Sequence, residues 1–297
     1  MEVARSNQGI TLYQRKYTLD LLEETGFLGS RPASTPMEYN MKIHSKSGIP
    51  LEDITSYRRL MGRLLYLTHT RPDICFVVGS LSQFLESPTD FHYKAATRVL
   101  RYLKNTPGQG IFFPANNTAT IQGYSDSDWA KCVDTRRSLT GWCFFIGSAL
   151  VSWKSKKQNT VSRSSSEAEY RALAMAACEA QWLTFLFRDL HIKHPKPVTI
   201  FCDNNSALHI AANPIFHERT KHIDVDCHVV RERIMNNTIH LLLIHTSLQL
   251  ADVFTKPLSP SPFNKNLSKL GILNIHVPSL RGCVKNEELF NINSEST

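Results

Sequence analysis

The order of strand-like and helix-like stretches after residue 113 leaves few folds open to this chain. The runs "TIQGYSD", "GWCFFIG" and "ALVSWKS" are short, rich in β-branched and aromatic residues, and close enough for turns to join them as an antiparallel meander. A helical stretch from about Ser165 to Leu190 follows, with Tyr170, Leu173, Ala174, Ala177, Trp182 and Leu186 expected on its buried face. Then "VTIFCD" reads as an apolar strand ending on an aspartate, "NNSALHIAAN" and "IDVDCHVVRERIMNN" as helices, "IHLLLIH" as a strand, and "SLQLADVFTKPL" as the start of a last helix. Three adjacent strands pair antiparallel, while the later two need crossovers. The expected fold is therefore α/β, a mixed five-stranded sheet with flanking helices.

Upstream the period changes. Tyr57, Leu60, Met61, Leu64 and Leu65 recur at helical spacing, as do Ile74, Val77, Val78, Leu81 and Leu85. A third helix is expected to open with Ser87 as N-cap, Pro88 at the first position and Asp90 in the first turn, and to stop at Pro107–Gly108. Its basic stripe, Lys94, Arg98, Arg101 and Lys104, either faces solvent or meets phosphate. A small helical subdomain thus precedes the sheet, separated from it near Phe113 by "NTPGQGIFFPANNTAT". The first dozen residues suggest a hairpin around "NQG", too small to be stable alone and with no further strands nearby in sequence, so it is expected to be loosely held.

At 297 residues, with 42% hydrophobic and 20% charged residues, the chain has room for about two domains and a real core. No apolar run reaches the roughly 18 residues of a membrane span, and the N-terminus has no secretory core, so a cytoplasmic or nuclear protein without a membrane partner is expected. The seven cysteines are scattered, with no C-x-x-C pair, as expected for reduced thiols. A net charge of +8 points towards a polyanionic partner.

Four acidic residues fall at ends of elements that this layout can bring to one sheet edge. Asp126 lies at the end of the first strand, Glu169 in the first turns of the long helix, Asp203 at the end of the fourth strand and Asp252 at the start of the last helix. Gathered carboxylates repel one another unless a cation neutralises them. Magnesium suits such a set, because it takes oxygen ligands and is held by a few carboxylates plus substrate phosphate. Two alternatives stay open on spacing alone. Asp128 points the same way as Asp126 on one strand, and Glu167 competes with Glu169, about 200° away around the helix.

Long stretches of the chain resemble the Pol polyproteins of plant copia-type retrotransposons. "QRKYTLDLLEETGF", "SYRRLMGRLLYLTHTRPDICFVV" and "HYKAATRVLRYLKNTPGQGI" resemble the reverse transcriptase thumb and connecting region. "GYSDSDWA", "RRSLTGWCFFIG", "VSWKSKKQNTVSRSSSEAEYRAL", "CDNNSALHIAANPIFHERTKHIDVDCHVVRE" and "LQLADVFTKPL" resemble the ribonuclease H domain that follows. The resemblance implies residues 1–12 as a remnant of the palm or primer-grip hairpin, 13–113 as thumb and connection, 114–260 as the ribonuclease H-like domain and 261–297 as a tail. It implies an Asp126, Glu169, Asp203 and Asp252 quartet that binds two Mg2+ ions, with Mn2+ as a substitute, and cuts the RNA strand of an RNA–DNA hybrid. It favours Asp126 over Asp128 and Glu169 over Glu167. The family's polymerase "YVDD" segment has no counterpart here, so no DNA synthesis is expected, and the missing polymerase part of Pol is an expected partner.

Around the quartet, Lys154, Lys156, Lys157 and Arg163, together with Arg219, Lys221 and His222, are expected along the hybrid's phosphates, and Asp128 beside them. Ser164, Ser165 and Asn204 are expected to hydrogen-bond backbone or ribose hydroxyl. Trp129 is expected to pack, and His245 either assists proton transfer or simply ends a strand. A zinc site at Cys227 is disfavoured by the spacing. The main competing reading is a catalytically silent transposon remnant that folds and binds nucleic acid without turnover. An integrase-like enzyme is disfavoured because the glutamate comes second in the acidic order.

Overall fold

The computed structural model describes residues 1–194, 197–212 and 224–276. The N-terminal half carries strands β1 (Glu2–Ser6) and β2 (Gly9–Tyr13), helices α1 (Arg15–Glu24), α2 (Ile54–Leu67), α3 (Cys75–Leu81) and α4 (Asp90–Asn105), and strand β3 (Gln109–Pro114). The second half runs β4 (Ile121–Asp128), β5 (Leu139–Ile146), β6 (Ala149–Lys157), α5 (Ser165–Asp189), β7 (Val198–Cys202), α6 (Asn205–Ala212), α7 (Asp224–Met235) and β8 (Ile239–Leu243). Helix α8 (Pro260–Lys269) and strand β9 (Ile272–Asn274) close the described chain.

The expected five-stranded mixed sheet is present, in the order β6-β5-β4-β7-β8. β4, β5 and β6 are antiparallel, and β7 and β8 join parallel to β4 and to each other. Gly123 on β4 leaves room for the Phe144 ring, which lies 2.3 Å from where a Cβ would stand. One sheet face packs on α5, whose buried side is Tyr170, Leu173, Ala177, Ala180, Leu183 and Phe187. The expectation that Trp182 is buried does not hold: it is 54% exposed, because the buried stripe advances through Leu183 and Phe187.

The other sheet face is covered by the helical half. Leu64, Leu67, Val77, Val78, Val99 and Leu103 share one core with Leu139, Cys143, Phe145 and Leu150 of the sheet, and with Val253 and Phe254. Leu65 departs from the expected stripe and is exposed. The hairpin is not loosely held, contrary to expectation. β2 pairs with β3, and β3 with β9, in a sheet of order β1-β2-β3-β9. Residues 261–274, expected as the beginning of a tail, supply all but the first residue of α8 and that last strand.

Two further expectations are corrected locally. Helix α4 starts at Asp90 with Thr89, not Ser87, as its cap, and His92 Nδ1 accepts from the Thr89 N–H to complete a capping box. Its basic stripe is divided: Lys94 faces solvent and pairs with Asp90 of its own helix, while Arg98 pairs with Glu38, Arg101 donates to the Arg31 carbonyl and Lys104 to the Ser30 carbonyl. Beneath it, Arg71 is buried and forks onto Asp73, which also accepts from Tyr102 Oη at 2.6 Å.

Candidate active site

Four elements bring the acidic residues together at one end of the sheet. Asp126 lies inside β4, opposite Gly141 on β5, and is almost fully buried. Its Oδ2 accepts a short hydrogen bond from Thr255 Oγ1. Glu169, in the second turn of α5, is 6% exposed; its Oε1 accepts from the Ser127 N–H at 3.2 Å, and its buried Oε2 has no hydrogen-bond partner among the described residues. Asp203 follows β7 directly, and oxygens of Glu169 and Asp203 and the Cys202 sulfur all lie within 4.8 Å of one another.

Asp252 arrives differently from expectation. "LADVF" is a 3-10 turn, Leu250–Phe254, and not the start of an α-helix. Pro257, close behind it, lacks the N–H a continuing helix would need and disfavours helical backbone at Lys256. The turn lies directly on β5 at Gly141, where a Cβ would come within 2.7 Å of Thr255 Cγ2 and 2.8 Å of Phe254 Cβ. Gln249 ties the turn to β4 by donating to the Ser125 carbonyl at 2.9 Å.

Electrostatics follow from this crowding. Burial and the neighbouring Asp126 and Asp203 push the Glu169 carboxyl well above the usual range. Burial also raises Asp126, against the pull of Lys256 and Thr255. Asp252 is pushed up to about 7 by burial and by Asp126, again partly offset by Lys256. Lys256 Nζ is 2.8 Å from Asp252 Oδ1 and 3.7 Å from Asp126 Oδ2. Burial alone would lower its ammonium, but Asp126 and Asp252 outweigh that and hold it above the ordinary lysine range.

The two open alternatives separate in space. Glu167 is taken up by the start of its own helix: Oε2 accepts from the Arg163 N–H at 2.8 Å, and Oε1 pairs with Arg171, which reaches on to Asp226. Asp128, at the end of β4, pairs with Lys131 at 2.8 Å. Ser164 and Asn204 act as helix caps, accepting from the N–H groups of Glu167 and Ala207, while Arg163 and Ser165 are exposed.

The basic run on β6 is split by strand alternation. Ser155 aligns with Gly141 and Asp126, so Lys157 shares their face while Lys154 and Lys156 point to the other. Lys154 and Lys156 are exposed, and Lys157 donates to Gln83 at 2.6 Å. His245 is exposed, its Nδ1 accepting from the Ser247 N–H. Trp129, expected to pack, is 46% exposed and donates to the Ser162 carbonyl. Arg219, Lys221 and His222 lie outside the described residues.

Sequence reasoning missed Lys256, Thr255 and Gln158. Buried Gln158 donates to Thr140 Oγ1 at 3.0 Å and to the Ala168 carbonyl at 2.9 Å, joining β5 to the helix that carries Glu169. Lys256 had a signal, four residues after Asp252. Gln158 had none, because it sits in a loop with no periodic pattern and its partners lie on different elements.

No family model matches the chain. It is 43% identical over 285 residues to the retrovirus-related Pol polyprotein from transposon RE2 of Arabidopsis thaliana, a match covering 96% of this chain and 20% of that protein. It is 35% identical over 267 residues to the corresponding polyprotein from transposon TNT 1-94 of Nicotiana tabacum, covering 87% of this chain and 20% of that one. The chain therefore spans about one fifth of the length of these relatives. Among solved structures, RNase H1 from Halobacterium salinarum aligns over 50% of this chain and 98% of its own, at 15% identity and a TM-score of 0.30. With such identity to the plant polyproteins over nearly all of its residues, the chain belongs to the retrovirus-related Pol polyproteins of copia-type retrotransposons.

Proposed function

We propose that this part of Pol is a magnesium-dependent endonuclease that hydrolyses the RNA strand of RNA–DNA hybrids, with Asp126, Glu169, Asp203 and Asp252 as its cation-holding set. One observation carries the reading: three buried carboxylates and the half-buried Asp203, from four elements, face one another with a single lysine among the described residues, and among those residues Glu169 Oε2 has no hydrogen-bond partner. Such a set lacks positive charge and supplies only hard oxygen donors, which fits Mg2+ or, as a substitute, Mn2+. The Cys202 sulfur beside them is a soft donor, which these hard cations disfavour as a ligand. When bound, two such ions supply Lewis acidity and an activated water.

The chain's own residues fix the set. Thr255 holds one oxygen of Asp126, Ser127 holds one oxygen of Glu169, and Gly141 admits the turn that presents Asp252. Ser164 keeps a hydroxyl proton and Asn204 its amide protons for a ribose hydroxyl, since only their oxygens serve as caps. Lys154, Lys156 and Arg163 offer exposed charge to phosphates, joined in this reading by Arg219, Lys221 and His222. DNA synthesis is not assigned to these residues, because no paired-aspartate "YVDD" segment is among them.

The test is Asp203→Asn in the full chain. Hybrid cleavage in magnesium should vanish while the circular dichroism spectrum is kept; cleavage that survives the substitution refutes the assignment. A wild-type chain that binds hybrid but never cuts it, with or without magnesium, supports the silent remnant instead.

A further inference from the structure

The acidic cluster is electrically lopsided. On one side stand Asp126 and Asp252, with Lys256 Nζ 2.8 Å from Asp252 Oδ1 and 3.7 Å from Asp126 Oδ2. On the other side, oxygens of Glu169 and Asp203 approach within 4.8 Å, and the buried Glu169 Oε2 has no hydrogen-bond partner among the described residues. An ammonium in contact with a carboxylate oxygen excludes a divalent cation from that same oxygen, because two positive charges at contact in a partly buried site repel strongly. Among the described residues the Glu169–Asp203 side has no such competitor.

Lys256 is also built to leave. Its side chain is 33% exposed, whereas those of Asp126 and Asp252 are 3% and 13% exposed, so its long stem leads from the cluster to solvent. Thr255 already satisfies Asp126 Oδ2, so losing the lysine does not strand that oxygen.

We propose that Lys256 is a tethered counter-cation that fills the Asp126–Asp252 side of the cluster until a divalent ion displaces it. The two cation positions then fill in order, the Glu169–Asp203 side first and the Asp126–Asp252 side second and more weakly. This rests on the reading of the cluster as a divalent-cation site. Lys256 is a positioning residue in this scheme, setting the affinity of the second position and keeping the metal-free cluster from flying apart.

The experiment is a Mn2+ titration of the full chain by calorimetry and electron paramagnetic resonance, with thermal unfolding in chelator alongside. Wild type should bind in two resolved steps. Lys256→Met should tighten the second step by about ten-fold or more, leave the first within about two-fold, and lower the melting temperature in chelator, with recovery on adding Mn2+. Lys256→Arg, which keeps the charge, should retain the weak second step, and Lys256→Gln serves if the methionine variant does not fold. A second step unchanged in the neutral variants, or two equal steps in wild type, overturns the role of the lysine and leaves the cation site standing. No Mn2+ binding by wild type, or full binding by Asp203→Asn, overturns both.

Discussion

Replacing Asp252 by Asn should stabilise the metal-free protein at pH 8. The Asp252 carboxyl is pushed up to about 7 in the fold, against roughly 3.9 for an unperturbed aspartate, a difference of about three units. At about 1.4 kcal/mol per unit, ionised Asp252 costs the metal-free fold about 4 kcal/mol. The attraction of Lys256 is already contained in that net shift, and an amide fills the same space. The folded state binds this proton more tightly than the unfolded chain does, so the cost is complete above pH 7. It fades as pH falls from 7 towards 4, where both states are protonated. In chelator, wild type should therefore gain stability between pH 8 and pH 5, and Asp252→Asn should gain less, from the remaining raised acids such as Asp126, Glu169 and Asp226. Urea unfolding followed by tryptophan fluorescence measures this, with the variant about 2–4 kcal/mol ahead at pH 8 in chelator and that lead lost in saturating magnesium. An Asp252→Asn protein less stable than wild type at pH 8 in chelator, or a wild type that loses stability from pH 8 to pH 5, refutes the reasoning.

Other substitutions probe the supports of the site. Gly141→Ala forces a Cβ within 2.7 Å of Thr255 and should cost about 1–3 kcal/mol as overpacking, with a larger proportional loss of hybrid cleavage as the Asp252 turn is pushed from Asp126; a folded variant with unchanged cleavage removes Gly141 from the account. Asp73→Ala strands buried Arg71 and should cost about 3–5 kcal/mol in urea unfolding, whereas a loss under 1 kcal/mol would mean the guanidinium finds water. Lys154→Gln and Lys156→Gln should each reduce the salt dependence of hybrid affinity by a slope of about 0.9, and unchanged slopes would take β6 off the binding path.

The five sheet strands were legible because each is a short run of apolar, β-branched or aromatic residues bounded by turns, and their order forces a mixed sheet. The fate of the hairpin was not. Its partner Ile111 stands opposite Leu12, almost a hundred residues away, and nothing local marks that pairing. The α4 stripe misled for a related reason: Arg98, Arg101 and Lys104 meet Glu38 and the carbonyls of Arg31 and Ser30, acceptors on a segment with no regular pattern of its own. Glu167 was better signposted than the helix period suggested. Ser164 followed three residues later by Glu167 is a helix-start signature, which assigns Glu167 to the cap and frees Glu169 for the cluster.

The site's composition and its support live on different links of the chain from sequence to function. The acids could be named from element ends, but Asp252 is held where it is by burial outside the sheet. Val253 and Phe254 beside it insert into the core that the helical half shares with β5 and β6, and burying one such phenylalanine contributes about 1.5–3 kcal/mol. The turn therefore sits between two layers, seated on Gly141 below and packed against α3 of the helical half above. The helical half, which supplies none of the four carboxylates, is by this packing part of the machinery that presents the last of them. A fourth acid carried on a turn with no regular hydrogen-bond ladder of its own needs that second layer. The layer costs the site nothing in access, because it covers the apolar residues flanking Asp252 and leaves Lys256 with a path to solvent.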